Sequence, residues 1–256
     1  MLSSNGFCYF VIFMDAHTKF IWFYPFVLKY DVFNVFHQFQ VFVEQQFSHK
    51  IKSVQTNLGG EYCKLNSFFK TIGIHHRLIC PHTHEQNGTV ERRHCHIVET
   101  GLTLLGQCKA PLKFWTYAFE TSVYLINRMS TPVLRNKSPF QCLLHQPPNY
   151  DFLRTFICLY FHFLRPYNAH KLDYHSTSCV FLGYSSSHLG YCCLDLSSKH
   201  LYISRRVRFN EHVFSFLESA HLPPPTSHTH PPTTVTPLPS LTFFLSTTPS
   251  VYACSY

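Results

Sequence analysis

Two aromatic and β-branched runs open the chain, Phe7 to Met14 (FCYFVIFM) and Phe20 to Val27 (FIWFYPFV). The polar Asp15-Ala16-His17-Thr18-Lys19 separates them. Apolar runs of that length joined by a short polar link predict a mostly buried β-hairpin. Beyond it, Val32, Phe36, Phe39, Val43 and Phe47 recur in steps of four, three, four and four. That is one face of a helix, and Asp31 before it is a candidate N-cap. Ile51 to Thr56 reads as a short strand that ends on the glycine turn Asn57-Leu58-Gly59-Gly60.

After Asn87-Gly88, Val90, Ile97 and Leu104 repeat every seven residues, with Val98 and Leu105 alongside. This predicts an amphipathic helix with Glu91, Arg92, Cys95, His96 and Glu99 on its polar side. A further helix fits Lys113 to Asn127, with Phe114, Ala118, Ser122 and Leu125 in register. Strand, strand, helix, strand and then helices define an α/β layer fold with a mixed sheet.

The texture changes after about Tyr150. Short strand-like runs at Phe156–Phe163, Ser178–Leu182, Tyr191–Leu194 and His200–Ser204 are separated by Asn, Ser, His and Gly. Such spacing suggests a small β-barrel. From Ser219 on, no Asp, Glu, Lys or Arg occurs, and eight of the 16 Pro fall there. This composition predicts a disordered tail.

Composition narrows the picture. With 45% hydrophobic residues the 256-residue chain holds material for a sizeable core. A formal net charge of +8 favours a polyanion as partner. The 11 Cys form no Cys-x-x-Cys pair, so neither a zinc ribbon nor a disulfide framework follows, and reduced intracellular thiols are expected. The Phe7–Met14 run is too short to span a bilayer and has no basic segment before it, so the protein is not expected to be secreted.

Two motifs carry the candidate chemistry: Gly59-Gly60-Glu61-Tyr62 after a strand, and Gln86-Asn87-Gly88-x-x-Glu91-Arg92 opening a helix. Together with Ile97-Val98-Glu99-Thr100-Gly101-Leu102, Tyr124-Leu125-Ile126-Asn127-Arg128, Ser138-Pro139-Phe140, Leu164-Arg165-Pro166-Tyr167 and Val180-Phe181-Leu182-Gly183-Tyr184, they form an ordered series. From Leu2 to about Phe216 the series resembles the integrase of copia-type retrotransposons. The resemblance implies an α/β, RNase H-like core lacking its first strand, followed by a small all-β Src-homology-3-like barrel and a disordered tail. In residues, the expectation is a truncated core over 1–135 and a linker with a short helix over 136–152. The barrel is expected over 153–216 and the tail over 217–256.

The family joins element DNA ends to host DNA with an Asp, Asp, Glu triad holding two divalent ions, usually Mg²⁺. Two hard cations in line need clustered carboxylates. Glu91 matches the family's Glu. The second Asp belongs in a Ser-Asp-x-Gly-Gly-Glu pattern, and this chain reads Thr56-Asn57-Leu58-Gly59-Gly60-Glu61. The spacing fits, with 33 residues between positions 57 and 91, but the carboxylate is an amide. The first Asp is expected upstream of Leu2, on a strand whose loss would expose an apolar edge. Asp15 is expected to be a turn residue. The copy is therefore expected to be catalytically inactive, with the ancestral metal at Glu91 weak or lost.

Further departures point the same way. Relatives show Arg where this chain has Cys8, Cys95 and Cys192, as deamination of methylated CpG sites would produce. Cys80, His82, His84, His94 and His96 lie close together but lack a paired zinc-ligand spacing. Candidate DNA contacts are Arg92, Arg93, His94 and His96 beside Glu91, Arg205, Arg206 and Arg208 at the end of the barrel, and Lys109 and Lys113. A second reading keeps that basic surface as a non-catalytic nucleic-acid-binding remnant. The expected location is intracellular, nuclear or cytoplasmic. The family acts as an oligomer.

Overall fold

The computed structural model describes residues 1–56, 63–78, 88–163, 176–185, 188–205, 207–218 and 250–255. In chain order the main elements are β1 (Tyr9–Asp15), β2 (Ile21–Phe26), α1 (Val32–Phe47), β3 (Ser53–Thr56), α2 (Cys63–Ile72), β4 (His75–Leu78), α3 (Gly88–Gln107), α4 (Trp115–Ile126) and α5 (Pro139–Leu144). They continue with β5 (Cys158–Phe163), β6 (Ser176–Tyr184), β7 (Tyr191–Asp195), β8 (Leu201–Ser204), β9 (Val207–Phe214) and β10 (Ser250–Ser255). Two compact units result. The first takes in Met1–Leu105, Pro111–Leu153 and the C-terminal strand, and the second Gly106–Ala110 and the segment from Arg154.

The first unit is built on a mixed sheet of order β2-β1-β10-β3-β4. Side chains alternate across β1 and pack its two faces differently. Val11 and Phe13 join Val54 against Val35, Phe36, Phe39 and Val43 of α1 and Leu65 and Phe69 of α2. Phe13 stacks on Phe39 at 4.2 Å between ring centroids. On the other face Phe10 meets His94 of α3 and Trp115 and Phe119 of α4.

Three details depart from expectation. Asp31 does not cap α1 through its side chain. Its carboxylate instead accepts from the Leu28 N–H at 3.1 Å, closing a 3-10 turn that leads into the helix. His94, a candidate DNA contact, is buried, and the buried row runs Val90, His94, Ile97, Gly101, Leu105. The tail was expected to be disordered throughout, yet Ser250–Ser255 is a strand in the middle of the sheet. It pairs antiparallel with β1 and parallel with β3. The β1 edge expected to lie exposed is thus covered, because an apolar edge with unmet N–H and C=O groups is a template for any extended segment.

Two contacts hold α4 in place. Gly101 lets α3 approach so closely that a Cβ there would sit 2.2 Å from the Phe119 ring. Asn127, buried just beyond α4, accepts from the Ile21 N–H at 2.9 Å and donates to the Ile21 carbonyl at 2.8 Å. Those two bonds satisfy the free edge of β2 at Ile21.

The second unit is an antiparallel sheet of order β8-β7-β6-β5-β9. Two strands separate β8 from β5, a gap of roughly 14 Å in a flat sheet. Yet the rings of His162 on β5 and Tyr202 on β8 stack at 4.5 Å. The sheet is therefore curled on itself. A bulge between Phe181 and Gly183, where Gly183 takes φ +128°, helps bend β6. Tyr160, Phe181, Tyr191 and Phe209 fill the interior. Among the described residues no helix is long and apolar enough to cross a membrane.

Candidate functional site

Glu91 stands in the first turn of α3, where the positive end of the helix dipole favours a carboxylate. Its position follows from its neighbours. Val90 is buried and fixes the rotation of the helix, and His94 lies flat on Phe10, with 4.9 Å between ring centroids and 3° between planes. Glu91 is left half-buried at the border of the packed face. Arg92 and His96 are exposed and Arg93 is half-buried. The Arg92 guanidinium folds back toward the helix start, so that a Cβ at Gly88 would lie 3.3 Å from it.

The strand that leads to position 57 is anchored at its last residue. Thr56 is fully buried, and its hydroxyl lies 2.8 Å from His76 Nε2 on β4. The other ring nitrogen of His76 is 3.4 Å from the Asn66 side-chain oxygen on α2. Burial lowers the pKa of His76, with its neighbour His75 adding to the effect. An open cleft of about 580 Å³, lined by Gln55, His75, His76, Arg77 and Leu78, runs along the β4 edge. Asn57, Glu61, Cys80, His82, His84 and Arg206 lie outside the described residues.

The acidic inventory of the sheet is small. Its five strands read YFVIFMD, IWFYPF, SVYACS, SVQT and HHRL in β1, β2, β10, β3 and β4, with Asp15 as their single carboxylate. Asp15 is buried and committed to the β1–β2 turn. One oxygen accepts from the Thr18 N–H at 2.7 Å and from the Thr18 hydroxyl at 2.6 Å. Asp15 is thus the turn residue expected from the sequence.

Other candidates separate by burial. Of the His and Cys residues that lie close in sequence without a zinc-ligand spacing, His94 is in the core and His96 in solvent. Among the described residues no three His, Cys, Asp or Glu side chains are placed to hold a metal. Cys158 and Cys179 are buried with thiols pushed up to about 12 by burial, and Cys193 is raised further. They act as small apolar fillers. Cys95 is exposed and Cys8 and Cys192 half-buried. Arg205 and Arg208 on the second unit are exposed.

Sequence reasoning missed Asn127 as the side chain that holds β2, and Gly101 as the contact point of α3 and α4. Both stood inside quoted motifs, but only the three-dimensional pairing shows what they touch.

The curled antiparallel sheet belongs to a known class. Residues 158–222 match the sequence family described as the retroviral polymerase SH3-like domain. Over a longer span the chain is 48% identical over 216 residues to the retrovirus-related Pol polyprotein from transposon RE1 of Arabidopsis thaliana. It is 45% identical over 216 residues to that from transposon RE2 of the same plant, and 34% over 211 residues to that from transposon TNT 1-94 of Nicotiana tabacum. These matches take in 84%, 84% and 82% of this chain, which spans only 15%, 15% and 16% of the relatives. The chain belongs to the retrovirus-related Pol polyproteins of retrotransposons.

Among solved structures it is similar to a chain of the simian T-cell lymphotropic virus intasome in complex with PP2A regulatory subunit B56 gamma. That match has a TM-score of 0.44 and 12% identity, over 79% of this chain and 72% of the other. It is also similar to the catalytic core domain of BIV integrase, with a TM-score of 0.40 and 12% identity over 52% and 84% of the two chains. Both likenesses are too distant to bear on function.

Proposed function

We propose that this chain is an integrase segment of a retrotransposon Pol polyprotein, with an RNase H-like core and a Src-homology-3-like barrel, that binds DNA and lacks strand-transfer activity. The observation that carries the inactivity is the donor set. The sheet's one carboxylate, Asp15, is spent on its turn. Position 57 offers a neutral amide oxygen where the motif calls for a carboxylate, so of the two matched positions Glu91 alone presents an anion.

Mg²⁺ bound as a pair would activate a hydroxyl and stabilise the leaving oxygen. The residues here do not fit such a pair, because position 57 supplies a neutral amide where the motif calls for a carboxylate, which leaves the site short of charge and of an anionic oxygen donor. Loss of even ~3–5 kcal/mol of transition-state stabilisation slows a reaction by roughly 10²–10⁴. What remains for Glu91 is a structural and electrostatic place at the start of α3.

DNA binding rests on the exposed cations. Arg92 and His96, with the half-buried Arg93, lie on α3 of the first unit, and Arg205 and Arg208 on the second. Such contacts are made to phosphates and carry no sequence preference. The ancestral partners, element ends and host DNA, place the protein inside the cell. A non-catalytic DNA-binding remnant is the same reading with the chemistry gone.

A strand-transfer assay with Mg²⁺ or Mn²⁺ and a labelled element DNA end tests the reading. The expected result is no product above that of heat-treated protein. Product formation that Glu91→Gln abolishes would contradict it.

A further inference from the structure

We propose that the open face of β4 is a phosphate-binding surface, on which His75 and Arg77 hold the backbone of a nucleic-acid strand laid along the edge of the sheet. The proposal rests on the DNA-binding reading above and adds to it a contact on the first unit, away from α3.

Strand register places the two side chains. β3 and β4 run parallel, with Ser53 beside His75, Val54 beside His76 and Gln55 beside Arg77. Val54 packs into the core with Leu65 and Phe69 of α2. His76 follows it, its ring edge-on to Phe69 with 4.9 Å between centroids. Side chains alternate along a strand, so Ser53, Gln55, His75 and Arg77 share the other face. Helices α3 and α4 cover that face at Phe10. At β4 it is open, and His75 and Arg77 are both exposed. Two positions apart on one strand, they stand roughly 7 Å from each other. Neighbouring phosphates of a nucleic-acid strand have a comparable separation.

The edge suits an anion. Its cleft of about 580 Å³ is lined by Gln55, His75, His76, Arg77 and Leu78, with no carboxylate among them. From Gln45 to His84 the sequence holds Lys50, Lys52, Lys64, Lys70 and Arg77 against one acid, Glu61. Glu44, just before that segment, is committed to the Ile51 N–H at 3.0 Å. Such an imbalance draws a polyanion to this part of the surface. The Arg77 guanidinium offers the donor fork that matches phosphate oxygens, and the imidazole of His75 adds an N–H. A second polypeptide strand is the poorer occupant. β4 is only four residues long and carries its cations at exposed positions, two features that discourage strand addition.

The strand is braced from behind. The Thr56 hydroxyl lies 2.8 Å from His76 Nε2, and the His75 N–H donates to the Lys52 carbonyl at 2.9 Å. A backbone already fixed in place loses little freedom when a ligand docks on it.

Fluorescence anisotropy of the full chain on a short labelled duplex, across a salt series, tests this. Arg77→Ala is expected to weaken binding at low salt about fivefold and to lower the slope of log Kd against log salt by about 1, while Arg77→Lys keeps the slope. Inorganic phosphate at matched ionic strength should not displace the duplex. Ultraviolet cross-linking of the unmodified chain to a bromodeoxyuridine-substituted duplex should yield a cross-linked peptide containing residues 75–77. An unchanged slope in Arg77→Ala, with Arg208→Ala lowering it, would overturn the β4 surface and leave DNA binding standing. No salt-dependent binding by the unmodified chain would overturn both. Displacement by inorganic phosphate that Arg77→Ala abolishes would make the cleft a small-anion site and overturn the strand. Should Arg77→Ala fail to fold, the cross-link decides, and absence of residues 75–77 from the cross-linked peptides overturns the proposal.

Discussion

His94 shows how one side chain ties the candidate site to the core. Its ring stacks on Phe10, and burial lowers its pKa below the usual value near 6.5. Burial does the same to His76 and to His162 on the barrel. For each, the unfolded chain binds a proton more readily than the folded one. Their contribution to stability is complete above about pH 6.5 and is lost as pH falls through that value toward the folded pKa. Urea midpoints measured at pH 7.5 and 5.5 should therefore drop on acidification, and His94→Leu should shrink the drop in the first unit. A midpoint independent of pH would count against the buried neutral state. Asn127 makes the second residue-scale case. Asn127→Ala leaves the Ile21 N–H and C=O without partners, at ~1–3 kcal/mol for each buried group. A loss of about 2–6 kcal/mol in denaturant unfolding is expected, and a loss under 0.5 kcal/mol would show the edge of β2 to be held otherwise. The residue scale also separates the cysteines. Cys8, Cys95 and Cys192 all reach solvent, while Cys158, Cys179 and Cys193 are in the core. A guanidinium would be tolerated at the first three and not at the others.

Elements with strong apolar periodicity were readable in the sequence. The β1–β2 hairpin, α1 and α3 each carry enough apolar residues in register for the pattern to reveal them. The elements that were not readable share a physical reason. β4 is His-His-Arg-Leu on a sheet edge, with no alternation to see, and it exists because β3 pairs with it. α2 is only ten residues long. β10 is six uncharged residues within a stretch whose composition reads as tail, and its strand state comes from the two neighbours that pair with it. The candidate site was legible in part for the same reason. Glu91 followed from a motif at a helix start, whereas the burial of His94 depended on how α3 rotates against β1. That rotation is set where α3 touches α4. Gly101→Ala removes a helix-interior glycine, a gain of ~1 kcal/mol at most. It also drives a methyl to 2.2 Å from the Phe119 ring, and overpacking of this kind costs ~1–3 kcal/mol. The clash should win and lower the melting temperature. Gly106→Ala near the end of the same helix, where a Cβ meets nothing within 4 Å, should leave it unchanged or raise it. Equal melting temperatures for the two variants would contradict the close approach.

At the scale of the molecule, a chain with net charge +8 presents cations on both of its units. Fluorescence anisotropy on a duplex should show binding that weakens linearly in log salt, with Arg92→Ala and Arg208→Ala each reducing the slope by about 1 and neither altering sequence preference. A slope near zero would show that the exposed arginines do not bind DNA phosphates. Membership of the retrotransposon Pol polyproteins supplies the lineage, and the side chains decide what has survived of it. Lineage alone would assign a two-ion site, whereas the donors give one half-buried carboxylate at the head of α3 and an amide at position 57. The most direct measurement is therefore a Mn²⁺ titration followed by electron paramagnetic resonance, comparing the unmodified protein with Glu91→Gln and Asn57→Asp. Expected are no binding in the unmodified protein that Glu91→Gln removes, and at least tenfold tighter binding when position 57 carries a carboxylate. Two Mn²⁺ ions held by the unmodified protein and released by Glu91→Gln would contradict it.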